Sequence, residues 1–254
     1  MAIKFLRPAL TAAATVLVLG TGLVVGTDTA ADDAYAAGAP VATPSADPAA
    51  PAAPAAPSNA AASPVGALFA NGSHFCTASV VHSAAGDLVL TAAHCVRDGM
   101  SFAPGYHDGV APFGMWTVTS TAVAGGWTAS ADPDLDFAFL TVRQAGNSAS
   151  VESLTGANVL GTNRGFVHRI TLTGYPDTSD SPVVCEGNTA QSDAYQQRVA
   201  CPGFPDGTSG GPWVTGGAVV GVIGGFELGG DTPDVSYSAY FDDDIEKLYA
   251  SVTG

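Results

Sequence analysis

Residues Asp87–Val96 read DLVLTAAHCV, a short aliphatic and β-branched run that closes on a histidine and a cysteine. An apolar stretch of this length suits a buried strand better than a helix. Working outward, similar runs recur: SVVHS (Ser79–Ser83), MWTVTSTAVAGG (Met115–Gly126), DFAFLTV (Asp136–Val142), HRITLTGY (His168–Tyr175), PWVTGGAVVGVIGG (Pro212–Gly225) and VSYSAYF (Val235–Phe241). Gly, Pro, Asn and Asp turns separate them. Short strands at this spacing predict an all-β fold of antiparallel barrel or sandwich type, not a parallel sheet flanked by helices. One α-helix is expected at the end, over 241–252, where Phe241, Ile245, Leu248 and Val252 make one apolar face. Asp243 and Glu246 have the spacing of a capping box, and the Asp run suits the positive end of the helix dipole, so these acids read as structural.

The N-terminus carries Lys4 and Arg7, then an uncharged apolar run from Pro8 to Gly26, then Ala34-Tyr35-Ala36. That is the order of a secretory signal peptide, over residues 1–36. A membrane anchor would need a run of similar length, but a small-residue cleavage site follows and no basic stop-transfer cluster does. The mature form is therefore expected to be secreted, extracellular and not membrane-embedded. Residues 37–64 are nearly all Ala and Pro, without a period that could define a buried face, and read as an extended linker or a short pro-region. The remaining residues suit one compact domain or two small barrels sharing a core.

The formal net charge is −15, and beyond the signal only Arg97, Arg143, Arg164, Arg169, Arg198 and Lys247 are basic. This argues against nucleic acid or an anionic membrane as partner. Cys76, Cys95, Cys185 and Cys201 all fall in the exported part, an even number that fits two disulfides. Three pairings are open; proximity favours Cys76 with Cys95 and Cys185 with Cys201, each closing a short loop that contributes about 3 kcal/mol. A zinc site from His74, Cys76, His94 and Cys95 would need two tetrahedral ligands from adjacent residues, which is poor geometry. No metal and no cofactor is expected.

Three segments carry chemistry. In FPDGTSGGPWV (Phe204–Val214), glycines surround Ser209. A surface turn uses the same residue types, but an acyl-transfer nucleophile also needs a backbone bent so that two N–H groups converge on one oxygen, and glycine permits that bend. His94 ends its strand beside Cys95, whose disulfide would fix the backbone of a general base. In DPDLDFAFLTV (Asp132–Val142), Asp136 directly precedes a buried strand while Asp132 and Asp134 stay in the turn. A carboxylate there can remain ionised if it accepts hydrogen bonds, as the orienting partner of a histidine must.

TAAHC, DLDFAFL and GTSGGP, in the order His, Asp, Ser, resemble the signatures of the trypsin and chymotrypsin family of serine proteases, and LTGYP (Leu172–Pro176) resembles a segment of secreted bacterial members. The likeness runs from Val65 onward. It implies two packed antiparallel β-barrels of chymotrypsin-like type, the first over about 65–150 and the second over about 151–240, followed by the C-terminal helix, within a protease domain of 65–254. It further implies that Ser209 attacks the peptide carbonyl, His94 moves the proton, Asp136 orients the imidazole, and the backbone N–H groups of Gly207 and Ser209 form the oxyanion hole. The expected activity is that of a serine endopeptidase acting on proteins or peptides through an acyl-enzyme, and a monomer is expected. Two other readings use the same residues: an inactive protease fold serving as a binding module, and a narrow-specificity processing protease of the cell envelope.

Two departures stand out. Animal digestive members have aspartate immediately before the serine, where it pairs with a new N-terminus; here Thr208 occupies that position. The cysteine nearest before Ser209 is Cys201, eight residues back. Counting back from Ser209, Gly203 falls where a trypsin-like enzyme has its Lys/Arg-recognising aspartate. Asp234, in TPDVSYSAYF (Thr232–Phe241), stands where the family's later pocket wall has glycine. If Asp234 lines the pocket, cleavage after Arg or Lys is expected; if it faces solvent, Gly203, Gly224, Gly225 and Phe226 line a neutral pocket.

Overall fold

The computed structural model describes residues 63–254; the expected signal peptide and all but the last two residues of the expected linker lie outside them. Six strands close into a barrel: β1 (Val65–Ala70), β2 (Ser73–Val80), β3 (Leu88–Thr91), β4 (Ser101–Pro104), β5 (Trp116–Val123) and β6 (Ala138–Arg143). Their order is β1-β2-β3-β6-β5-β4, with β4 returning to pair with β1, and each pair is antiparallel. Closure leaves no free edge. It also explains why β3, flanked on both sides, is wholly buried. Leu68, Leu90, Phe102, Trp116, Phe139 and Leu140 are buried in one apolar cluster that the barrel shares with the C-terminal helix.

The second half forms a seven-stranded sheet from β7 (Val159–Leu160), β8 (Arg169–Gly174), β9 (Val183–Asp193), β10 (Gln196–Ala200), β11 (Pro212–Thr215), β12 (Ala218–Val222) and β13 (Val235–Ala239). The order is β13-β10-β9-β8-β11-β12-β7, antiparallel except for the short β7–β12 pair. Its separate core holds Ile170, Leu172, Val199, Trp213 and Ile223. The disulfides join Cys76 to Cys95 and Cys185 to Cys201, the pairing that proximity favours.

Several elements differ from the sequence expectation. The β9–β10 hairpin was not expected, because its sequence is polar: β9 alternates half-buried with exposed residues and lacks a continuous apolar run. The run ending at Gly126 leaves β5 at Val123 and turns into the short helix α1 (Gly125–Ser130); a second, α2, covers Val151–Thr155. The C-terminal helix α3 is Asp243–Thr253, capped by Asp242, whose carboxylate accepts from Asp244 N–H. The cap thus lies one residue before the expected Asp243–Glu246 box. The intended face is kept: Ile245 is buried, and Leu248 and Val252 pack on the barrel core.

Phe241, just before α3, meets Phe137 edge-to-face with ring centroids 6.0 Å apart, and both rings are buried. Phe137 follows Asp136, so this contact holds the backbone of the candidate site. Phe241→Ala is expected to lower the stability by about 3–5 kcal/mol through the cavity it leaves, a loss that urea unfolding followed by tryptophan fluorescence would read.

Candidate active site

β3 ends at Thr91 and the chain enters a 3₁₀ turn, Ala93–Cys95, that carries His94 and is tied by Cys95 to β2. Across the barrel pairing β3–β6, a second 3₁₀ turn, Pro133–Leu135, is capped at its start by the Asp132 side chain and ends at Asp136, beside β6. The two turns therefore sit at the same end of neighbouring strands. Asp136 is fully buried, and its carboxylate accepts three N–H groups: His94 backbone N on Oδ1 (2.9 Å), and His94 Nδ1 (2.7 Å) and Gly225 N (2.8 Å) on Oδ2. A carboxylate only accepts, so Nδ1 carries the imidazole proton and Nε2 is left as a lone-pair acceptor.

His94 and Ser209 line one cleft of about 540 Å³. The loop carrying Ser209 is held from the other half of the molecule by Thr77 on β2. Thr77 N–H donates to the Ser209 carbonyl (2.7 Å), and its buried hydroxyl donates to the Gly207 carbonyl (3.1 Å) while accepting from Tyr175 N–H (2.8 Å). The peptides that carry the Gly207 and Ser209 amides are held through their own carbonyls, Asp206 by Asp177 N–H (2.9 Å) and Thr208 by Gly211 N–H (2.9 Å), so these two N–H groups point away from those bonds. Among the described residues, the amides of Gly207 and Ser209 have no acceptor, whereas Thr208 N–H and Gly210 N–H do. Gly207 has φ +89 and backs onto Tyr175 and Asp177 so closely that no Cβ fits. Thr208 is buried, and its hydroxyl donates to the Pro205 carbonyl (2.6 Å), closing the turn within the loop. Neither Thr77 nor Gln196, described below, was singled out from the sequence. Their partners lie far along the chain, and no local pattern marks them.

The cleft that holds His94 and Ser209 is lined by Phe204, Asp206, Ile223, Glu227, Leu228 and Asp231, among others, and Gly203, Gly224, Gly225, Phe226 and Asp234 stand outside that lining. Gly203 is exposed on the loop before Ser209. Gly224 and Gly225 face the buried Asp136 instead, where a Cβ on Gly224 would stand 2.9 Å from Oδ2. The Phe226 ring packs on Tyr237, 4.9 Å away. Asp234 is exposed, and its carbonyl accepts from Cys201 N–H, which turns this residue into the strand partner of the disulfide. The reason is a fold-back in the wall: Glu227 and Leu228 are left-handed (φ 46 and 56), followed by Gly229 and Gly230 (φ 120 and 128), so the chain reverses early and brings Asp231 to the cleft. The zinc alternative fails on chemistry: Cys76, His94 and Cys95 do converge, but the two sulfurs are bonded to each other and are not thiolates.

Behind Gly207, the segment after β8 is fastened to the barrel side and to the Ser209 loop. Tyr106 donates to Asp180 (2.6 Å), Ser181 to Asp108 (2.7 Å), and Asp177 N–H to the Asp206 carbonyl (2.9 Å). The bond to Asp180, aided by burial, pushes the Tyr106 phenol up to about 12. Burial, with Tyr106 nearby, holds Tyr175 above the ordinary phenol range as well.

Solved structures share this architecture. The thermostable serine protease AL20 from an extremophilic microorganism superposes with a TM-score of 0.68 at 25% identity, covering 76% of this chain and 98% of its own. The protease Anisep from Arthrobacter nicotinovorans gives 0.67 at 24%, over 76% and 97%. A Glu endopeptidase solved in complex with MPD gives 0.62 at 18%, over 76% and 91%. The fold is thus that of the chymotrypsin-like serine proteases. No curated protein matches the sequence. The family profile described as trypsin-like peptidase domain matches residues 72–222, and the chain belongs to that family.

Thr77→Val keeps the shape but leaves the Gly207 carbonyl and Tyr175 N–H without partners. A fall in kcat/KM of about tenfold or more is expected in folded protein, since each orphaned buried group costs about 1–3 kcal/mol; peptide hydrolysis with circular dichroism on the same sample checks it. Because folding favours the neutral phenols, the stability they contribute is intact below the ordinary phenol value of about 10 and is lost as pH rises. Tyr106 is expected to titrate near 12, a late phenolate absorbance step that Tyr106→Phe removes.

Proposed function

We propose that this protein is a secreted serine endopeptidase. The observation that carries the reading is the buried Asp136 carboxylate, which binds both N–H groups of His94 in a cleft that also contains Ser209. Nε2 of His94 takes the Ser209 hydroxyl proton as Oγ bonds to the peptide carbonyl carbon, and the amides of Gly207 and Ser209 stabilise the oxyanion. The tetrahedral adduct collapses with cleavage of the C–N bond, the imidazolium passing its proton to the leaving amine. Water then enters and loses a proton to Nε2 as its oxygen bonds to the acyl carbon; the C–Oγ bond breaks, the imidazolium returns that proton to Oγ, and the acid and free Ser209 result. Secretion accords with the signal-like N-terminus, the two disulfides, and the lack of any helix, among the described residues, long and apolar enough to cross a membrane.

The cleft favours a cationic side chain before the cut. Asp206, Glu227 and Asp231 line it, and no Lys or Arg does. An acidic side chain would meet three carboxylates. These acids are exposed at the rim rather than buried at the base, so they act as a field of one sign more than as a single ion pair. The oxyanion loop also has its own fastening in Thr77 and the Thr208 hydroxyl, which supports activity without a defined new N-terminus.

Ser209→Ala is expected to abolish peptide hydrolysis and labelling by a fluorophosphonate while the fold persists. Retained turnover would refute the assignment. Incubation with a mixed peptide library is expected to give cuts after Arg and Lys, with a preference that shrinks between about 0.01 and 1 M salt, as the Debye length falls from about 30 to 3 Å. Cuts mainly after Phe or Leu, at every salt concentration, would remove the cationic preference and leave the peptidase reading in place.

A further inference from the structure

The wall of the cleft is joined to the turn that carries Asp136 through two neighbouring amides. Gly225 N–H donates to Asp136 Oδ2 (2.8 Å), and Phe226 N–H donates to Gln196 Oε1 (3.1 Å). Gln196 stands on β10 and is 5% exposed. Its Nε2 donates to the Pro133 carbonyl (3.0 Å) and to Asp134 Oδ1 (2.7 Å). One planar amide thus spends its acceptor on the wall and both donors on the 3₁₀ turn Pro133–Leu135 that Asp136 terminates. Among uncharged side chains only Gln and the shorter Asn offer that set. The surroundings also fix its orientation, because a carbonyl and a carboxylate lie on one side and an N–H on the other.

The backbone has been cut to fit this side chain. A Cβ on Gly225 would collide with Gln196 Oε1 and stand 2.9 Å from Ala239 N, and its φ of +78 suits glycine. Just beyond Phe226 come the left-handed Glu227 and Leu228. Such conformations cost about 1–3 kcal/mol each and persist only where neighbouring contacts impose them. The bond from Leu228 N–H to the Gly225 carbonyl (3.0 Å) closes the fold-back onto the residue beside the Gln196 contact. Gln196 therefore holds the base of the segment that presents Glu227 to the cleft.

We infer that Gln196 is a positioning residue that locks the specificity wall to the turn preceding Asp136, so that side-chain selection rests on this link while the three N–H groups on the Asp136 carboxylate keep His94 oriented without it. This rests on the peptidase reading above. Gln196 touches neither the scissile bond nor Ser209, so its loss acts on selection before it acts on the chemistry.

The test uses the full chain and two readouts: kcat/KM for matched peptides with Arg or an uncharged residue before the cut, and the labelling rate of Ser209 by a small fluorophosphonate that does not fill the cleft. Gln196→Leu keeps the volume and removes all three bonds. The expected result is an Arg-to-neutral ratio lowered about tenfold, mainly through KM, with labelling changed by less than about twofold. An unchanged ratio, or hydrolysis and labelling falling in parallel, overturns the inference. If Gln196→Leu does not fold, Gln196→Glu alone and together with Asp134→Asn decides the matter. The single change sets two carboxylates against each other and lowers the ratio; the second change supplies an amide donor to the new carboxylate and restores most of it. Failure to restore it overturns the inference. A wild-type chain that neither labels nor hydrolyses would fail the peptidase reading itself, a different outcome from an active enzyme indifferent to position 196.

Discussion

Burying the Asp136 carboxylate removes a charge from water, a step that costs several kcal/mol even after the surroundings relax. Three N–H groups offset it, and hydrogen bonds to a charged partner contribute about 1.5–3 kcal/mol each. Those groups belong to two distant parts of the chain: the His94 turn after β3 and the Gly225 wall after β12. Solvating one buried ion thereby forces the barrel and the second sheet into a fixed relation. The imidazole tautomer follows as a by-product, since an acceptor on Nδ1 leaves Nε2 facing the cleft without a proton.

The Ser209 loop is held on the same logic but from its carbonyl side. β2 contributes Thr77, whose N–H and hydroxyl take the carbonyls of Ser209 and Gly207, and whose own carbonyl accepts from Thr91, the last residue of β3. A peptide whose oxygen is engaged on one face must offer its N–H on the other. The Gly207 and Ser209 amides belong to the peptides whose oxygens, on Asp206 and Thr208, accept from Asp177 N–H and Gly211 N–H, so their direction is set within the second half while Thr77 fastens the loop to the barrel. That arrangement needs no charged terminus inserted beside the loop, which is consistent with Thr208 in place of an acid there. The price is that Thr77 and Thr91 have to be buried polar groups with every bond made.

How far the sequence carried depended on the range of the cause. Fold class followed from strand runs such as Leu88–Thr91 and Ala138–Arg143, whose burial is written in consecutive residues. His94, Asp136 and Ser209 were visible because each sits in its own short motif beside a strand end. The β9–β10 hairpin was not, since Val183–Asp193 has one polar face and no apolar run. The cleft lining differs from the expected residues for a different reason. Alignment by counting treats Asp234 as a wall residue, but two left-handed residues at 227 and 228 shorten the path, and Asp231 arrives in its stead. Backbone handedness at Glu and Leu has no sequence signal, because glycine or asparagine usually marks such positions. Thr77 and Gln196 have partners 130 and 62 residues away, beyond any local pattern.

On the proposed reading, the pair Gly224-Gly225 is the point where the wall of the cleft meets the carboxylate that orients His94. With no side chain at either position, support for the Asp136 carboxylate from this direction can come only from the backbone, and the Gly225 amide supplies it. A side-chain donor could rotate to follow the carboxylate while the wall moved; a backbone donor cannot, because displacing it displaces the wall. Any force on the wall, such as a substrate side chain pressing between Glu227 and Phe204, is then transmitted to the atom that orients His94. Conversely, the wall cannot open to admit a larger side chain without weakening one of the bonds that keep a buried charge solvated. On the proposed reading, side chains of different size are therefore met by the exposed carboxylates at the rim, where water screens them, while Gly224 and Gly225 behind the cleft stay fixed to Asp136.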